Sequence, residues 1–242
     1  MTHDDTSCRR RLLKWLPVPV FGVWTVLFTW LLVGGKYQTF LQPSLWPLLA
    51  IGLVITLLFA AVAFLPAQSG HSHTHGQASW ARAAILLMPI AYMLVSANAS
   101  LGSHAFSKRS LGGIPLFASS AGRPQGAVEG EATIIEILSN PNGFIGKHVE
   151  TAGAIYRAER LKPGSFLIFR FLIVCCAADA QPVALLVDAG DLAIPETDLW
   201  VLVSGTVEAV QVEDKQAPCI RADRIEVVDP PPPPNKRYLY PW

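Results

Sequence analysis

LWPLLAIGLVITLLFAAVAFL, residues 45–65, carries no charged side chain and a single hydroxyl, that of Thr56. A helix needs about 20 mainly apolar residues to cross a hydrocarbon core, so this stretch reads as a membrane helix and decides the class of the chain. Two neighbouring runs extend the pattern. Trp15 to Gly34 is as apolar, and Ala83 to Leu101 (AAILLMPIAYMLVSANASL) is more polar toward its end and holds Pro89, whose missing N–H predicts a kink. Residues 1–106 are therefore expected to form a transmembrane region of three helices, at 15–34, 45–65 and 83–101. Charge agrees: between Leu16 and Phe106 the only charged residues are Lys36 and Arg82, and from Lys108 onward charges recur at ordinary density. Charged residues make up 15% of the whole chain, against about 25% in a typical soluble domain.

Arg9, Arg10, Arg11 and Lys14 precede the first run. A secretory signal peptide begins in this way, but here the apolar run is too long and no small-residue cleavage site follows it, so the helix is read as retained. The same cluster puts the N-terminus in the cytoplasm. Three crossings then leave the loop after the second helix inside and the C-terminal domain outside, in a multi-pass protein of the cell membrane. Lys108 and Arg109 count against that orientation. GGKYQTFLQP, residues 34–43, is the connection between the first two helices, with Gly and Pro as helix breakers.

The second loop contains His71, His73 and His75 in HSHTH. On extended chain alternate side chains share a side about 7 Å apart, and neutral imidazole ligates zinc, copper or nickel. A solvated, merely His-rich loop is the rival reading.

Residues 107–131 are rich in Gly, Ser, Ala and Pro and read as a linker. The segment from 132 to 229 opens with a short amphipathic stretch, ATIIEILSN, and continues as five Val- and Ile-rich runs: 148–157, 165–176, 182–187, 199–212 and 218–228. Five such strands suit a small closed barrel, and Gly153 and Gly205 inside them suit sharply bent strands. The expected fold is thus an α-helical transmembrane N-terminal region plus a small, mostly β C-terminal domain, an OB-like five-stranded barrel. Residues 230–242 form a proline-rich tail, with five consecutive prolines read as a stiff surface spacer.

RFLIVCCAADAQP, Arg170 to Pro182, is the stretch suited to chemistry. A strand delivers Cys175 and Cys176, side chains on opposite faces, and a turn at 176–178 brings Asp179 to one of them. Thiolate and carboxylate form a partial shell for a divalent cation such as Zn²⁺, whose sites take three or four ligands. Cys219, at the start of the last run, is a further candidate thiolate. Against this stand small buried cysteines as core filler and Asp179 as a turn residue bonded to backbone. The net charge of +1 with no basic stripe gives nucleic-acid binding no support. A glycine-rich phosphate loop, a nucleophile elbow, HExxH and CxxC are all absent, so no enzyme is expected.

The Arg170–Pro182 motif resembles that of the YcgQ-like family of bacterial permease subunits. GGKYQTFLQP, the His-bearing loop, LLMPIAYMLV and DLWVLVSGTV are similar to segments of the same family. The resemblance implies an accessory subunit of a two-component permease, working in the lipid bilayer beside a larger multi-helix YcgR-like partner, with zinc as the metal it points to. Carried over by position, the motif residues are Arg170, Cys175, Cys176, Ala178, Asp179 and Pro182. Two alternatives from other classes are a membrane-anchored metal sensor or chaperone using HSHTH and the cysteines, and a structural anchor whose barrel binds a protein or glycan.

Overall fold

The computed structural model describes residues 17–64, 76–96, 101–110, 132–158, 161–212, 215–230 and 238–240. They belong to two compact units, one of Met1–Thr39 with Pro43–Ala99 and one of Phe40–Gln42 with Ser100–Trp242.

The first unit is helical: α1 (Pro17–Val33), α2 (Trp46–Phe64) and α3 (Gly76–Ser96). α1 ends where Gly34 and then Gly35, at φ 62°, take over, a left-handed conformation that costs glycine nothing. α1 packs on α2 and α3. Phe21 and Phe59 stack with ring centroids 5.4 Å apart. Gly52 faces the Phe28 ring so closely that a Cβ would lie 3.3 Å from it. Thr25 and Thr29 each return their hydroxyls to the carbonyl four residues back, which lets a polar side chain sit in an apolar helix without an unpaired donor. α3 starts earlier than the apolar run and continues through Pro89. Among the described residues one helical stretch, Pro43–Val62, is long and apolar enough to cross a membrane; Val18–Val33 and Ala83–Val95 are shorter apolar segments. Large apolar side chains lie exposed along α2 and α3, among them Leu58, Val62, Met88 and Val95.

The second unit is a six-stranded mixed sheet: β1 (His148–Tyr156), β2 (Ser165–Leu172), β3 (Gln181–Asp188), β4 (Trp200–Val212), β5 (Lys215–Val227) and β6 (Tyr238–Leu239), in the order β1-β4-β5-β3-β2-β6. β1 also pairs with β2, so hydrogen bonding runs from β1 through β4, β5, β3 and β2 and returns to β1. All pairs are antiparallel except β3–β5 and β2–β6. β2 is buried along nearly its whole length, because Phe166 and Ile168 enter one core while Leu167, Phe169 and Phe171 enter another. That explains a continuous apolar run in place of alternation.

The first core is closed by α5 (Ile134–Ser139), whose Ile134, Ile135, Ile137 and Leu138 are buried. Thr133 and Glu136 form its capping box: the Thr133 Oγ1 accepts the Glu136 N–H at 3.2 Å and the Glu136 carboxylate accepts the Thr133 N–H at 2.8 Å. A one-turn helix, α6 (Pro141–Phe144), follows. The second core is closed by α4 (Ser103–Arg109), whose Phe106 packs on Tyr156 and Phe169 with centroids 4.8 and 4.5 Å away. Gly205 marks a bulge in the β4–β5 ladder; a Cβ there would fall 2.2 Å from the Arg221 carbonyl oxygen, so the bent strand requires glycine.

Three expectations change. The 165–176 run forms strand only to Leu172, so Cys175 and Cys176 leave the ladder and the opposite-faces argument does not apply to them. The tail does not stay a free spacer to its end. Tyr238–Leu239 adds to β2 in parallel, opposite Phe171 and Leu172, and Tyr238, Leu239 and Tyr240 are buried. Tyr238 and Tyr240 enter the second core and Leu239 the first, and that burial outweighs the cost of ordering a short strand. Part of the linker is also structured, since α4 runs through Arg109.

Candidate metal centre

Between β2 and β3 the chain makes a tight turn whose last residues, Ala177–Asp179, form one turn of 3-10 helix. The cause is the Asp179 carboxylate. Its Oδ1 accepts the Val174 N–H at 3.1 Å, and its Oδ2 accepts the N–H groups of Cys175 at 2.8 Å and Cys176 at 3.3 Å. Three donors that would continue the β2 ladder converge instead on one carboxylate. The Asp179 N–H closes the turn on the Cys176 carbonyl at 3.0 Å. Both thiols are thereby drawn to the same side: one ligand atom each from Cys175, Cys176 and Asp179 lies within 4.8 Å of the others. Cys175 is exposed and Cys176 half-buried.

The turn is held from two further directions. Arg109, at the end of α4, donates to the carbonyl oxygens of Ala180 and Ala177. The segment Phe40–Gln42 pairs with the turn as a short antiparallel bridge, Leu41 opposite Cys176. Here the Gln42 N–H donates to the Cys175 carbonyl at 3.0 Å and the Ala177 N–H donates to the Phe40 carbonyl at 2.7 Å. Neither holder was among the candidate site residues. Both are remote in sequence from the cysteines, and Arg109 drew notice only as a charge on the wrong side of the expected topology.

Electrostatics follow from the same contacts. The hydrogen bond from its thiol to Asp179, and then that to Cys176, push Cys175 up from 9.0 to about 11. Burial pushes Asp179 upward, but hydrogen bonds from the Cys175 thiol and from the Cys175, Val174 and Cys176 N–H groups outweigh it and hold the carboxyl below its ordinary 3.8. The turn thus pairs a carboxylate with a thiol that holds its proton, and a cation bound here would displace that proton.

The donor set fits a borderline-soft divalent ion. Two sulfurs and one carboxylate oxygen give three of the four ligands of a tetrahedral zinc site and leave one position open. The Oδ2 atom is committed to two N–H groups and Oδ1 to one, so the carboxylate would offer an ion a single oxygen, Oδ1.

Cys219 does not join this group. It lies inside β5, between Leu186 of β3 and Glu208 of β4, and is buried. Burial, followed by the negative charge of Asp188, pushes it up to about 12. Of the other motif residues, Ala178 sits in the 3-10 turn and Pro182 stands on β3 opposite Phe171. Arg170 is buried on β2 with its guanidinium carbon 5.7 Å from the centre of the Trp200 ring. His71, His73 and His75 lie outside the described residues. Among the described residues, Cys175, Cys176 and Asp179 form the one such group of three ligand side chains.

No curated protein matches the chain. The family model for the DUF1980 C-terminal domain matches residues 131–241, which carry all three candidate ligands and every strand of the sheet, whereas Arg109 and Phe40–Gln42 fall outside the match.

Proposed function

We propose that this chain is a non-catalytic accessory subunit of a two-component membrane permease, and that its cysteine–aspartate turn captures a divalent metal ion, zinc being the best fit. The observation that carries the reading is the convergence of Cys175, Cys176 and Asp179 within 4.8 Å on a turn held from three directions. The DUF1980 C-terminal match supports the family-level part of the reading. The cyclic pairing of β1 to β5 supports an OB-like description of the domain that bears the turn.

A multi-pass arrangement is supported by the exposed apolar faces of α2 and α3. With almost no charge in these helices, they offer no ion route of their own. A larger multi-helix partner supplies it, and the turn presents the ion at the outer mouth of that route.

The test is a titration of the full chain in detergent, reduced and anaerobic, with Zn²⁺ and Co²⁺. One equivalent bound, with a thiolate-to-cobalt absorption band that Cys175→Ser removes, is the expected result. No binding overturns the metal reading and favours the second one, a rigid docking feature for another protein. That alternative draws on the engagement of Asp179 with three backbone N–H groups and on the exposed Val174 beside them.

A further inference from the structure

We infer that Arg109 and the segment Phe40–Gln42 are positioning elements of the metal centre, so that ion capture at the turn and the conformation of the α1–α2 connection are coupled. This rests on the metal reading above and goes beyond it, since it assigns to the site a regulatory output.

The turn has few means of its own to hold the thiols where an ion needs them. Cys175 and Cys176 are off the β2 ladder, and the three-residue 3-10 turn contributes no extended hydrogen-bond array. The Asp179 carboxylate organises it, and that same carboxylate is one of the three ligands. When an ion takes an Asp179 oxygen and both sulfurs, it withdraws negative charge from the N–H groups of Val174, Cys175 and Cys176. The bonds that do not depend on Asp179 must then carry the shape of the turn. These are the two from Arg109 to the carbonyls of Ala177 and Ala180, and the two that join Cys175 and Ala177 to Gln42 and Phe40.

The positions of these holders give the coupling its direction. Phe40–Gln42 groups with the sheet by its contacts, yet in the chain it is followed at once by Pro43, where the α2 stretch begins, and preceded by the glycine turn that ends α1. The Gln42 N–H reaches the carbonyl of one thiol-bearing residue and Leu41 stands opposite the other. A shift of Cys175 and Cys176 onto an ion is therefore passed by backbone bonds into the peptide that links two apolar helices. Linkage makes the effect reciprocal: whatever fixes that peptide raises the affinity of the turn by the same factor as the ion stabilises the peptide.

The experiment is hydrogen exchange on the full chain in lipid nanodiscs, with Zn²⁺ as the probe, following peptides that cover 37–43 and 173–180. Zn²⁺ is expected to slow exchange at Gln42 and Ala177 by about tenfold, within the usual range of coupling between sites. In Arg109→Ala, Zn²⁺ affinity falls by a similar factor, about tenfold, with Arg109→Lys restoring part of it and exchange in β3 to β5 unchanged. Protection at 173–180 without any at 37–43 overturns the coupling and leaves the metal reading standing. Unchanged affinity in Arg109→Ala overturns the role of Arg109. Absence of Zn²⁺ binding to the intact chain overturns the metal reading itself, and the coupling with it.

Discussion

Cys219 and the Cys175–Cys176 pair bring the same functional group into opposite surroundings within one domain. On β5 the backbone of Cys219 is taken up by the ladder, its neighbours are Leu186 and Glu208, and its side chain is 3% exposed. Beyond Leu172 the backbone N–H groups of Val174, Cys175 and Cys176 turn to the Asp179 carboxylate, leaving Cys175 exposed and Cys176 half-buried. Both settings raise a thiol pKa, to about 12 at Cys219 and about 11 at Cys175, for different reasons. Burial is the chief cause in the first and a hydrogen bond to a carboxylate in the second. A raised pKa thus marks either a sealed thiol or one sharing its proton with a prospective co-ligand, and the path of the backbone tells them apart.

The comparison predicts its largest contrast in metal affinity. Cys175→Ser or Cys176→Ser should weaken Zn²⁺ binding about a hundredfold, equivalent to about 2.8 kcal/mol, whereas Cys219→Ser should leave it unchanged; competition with a chromophoric chelator measures both. A loss in Cys219→Ser equal to that in Cys175→Ser would break the distinction.

Stability should show the reverse order. Cys219→Ser buries a hydroxyl where a thiol packed and should cost about 1–3 kcal/mol, read as a lower denaturation midpoint. Serine at Cys175, on the surface, should stay within about 0.5 kcal/mol. Asp179→Ala falls between them, at about 1 kcal/mol, as for loss of a helix cap.

Protonation sharpens the contrast further. The pKa of Cys219 is higher in the folded than in the unfolded chain, where it lies near 9.0. The folded state therefore holds the proton more tightly, and this contribution to stability is complete below pH 9 and lost as pH rises toward 12. Asp179 acts in the opposite sense. Its folded pKa lies below 3.8, so its contribution is present above that value and lost as pH falls through the folded pKa. Denaturation midpoints across pH, with Cys219→Ala and Asp179→Ala each flattening only its own limb, check both signs. The smallest effect expected is in labelling: an alkylating reagent at neutral pH should reach Cys175 slowly in the folded chain and Cys219 only on unfolding.

The sheet was legible because its signals are local. Four of the five strand-like runs, those leading into β1, β3, β4 and β5, lie within three residues of the strands formed at each end. ATIIEILSN carries its own capping box through Thr133 and Glu136. Gly205 announced the bulge that it makes possible. The run leading into β2 was read four residues too long because the feature that ends the strand, Asp179, lies beyond it and acts backward through three N–H groups. Apolar content cannot report that a carboxylate has captured the donors of a strand. Arg109 was unreadable as a site residue for a related reason: its partners are carbonyls some seventy residues away, and nothing in its own neighbourhood encodes them. β6 escaped notice because Tyr238–Leu239 is too short to show a period and follows a proline run that reads as a linker. Cys175, Cys176 and Asp179 stood out as candidate ligands by their adjacency, but their convergence on one side depends on the turn.

The position of β6 gives a two-residue strand a structural task. Leu239 lends its carbonyl to the N–H of Ile173 at 2.9 Å, two residues ahead of the first thiol, and Tyr238 and Leu239 hem the edge of β2 at Phe171 and Leu172. Clipping residues 238–242, or fusing a bulky tag against Tyr240, would unpick that hem. It would bare a donor and a strand edge of the kind that recruits other chains, and slacken the stretch from which the cysteine turn is hung. This two-residue strand is in that sense the closing stitch of the sheet.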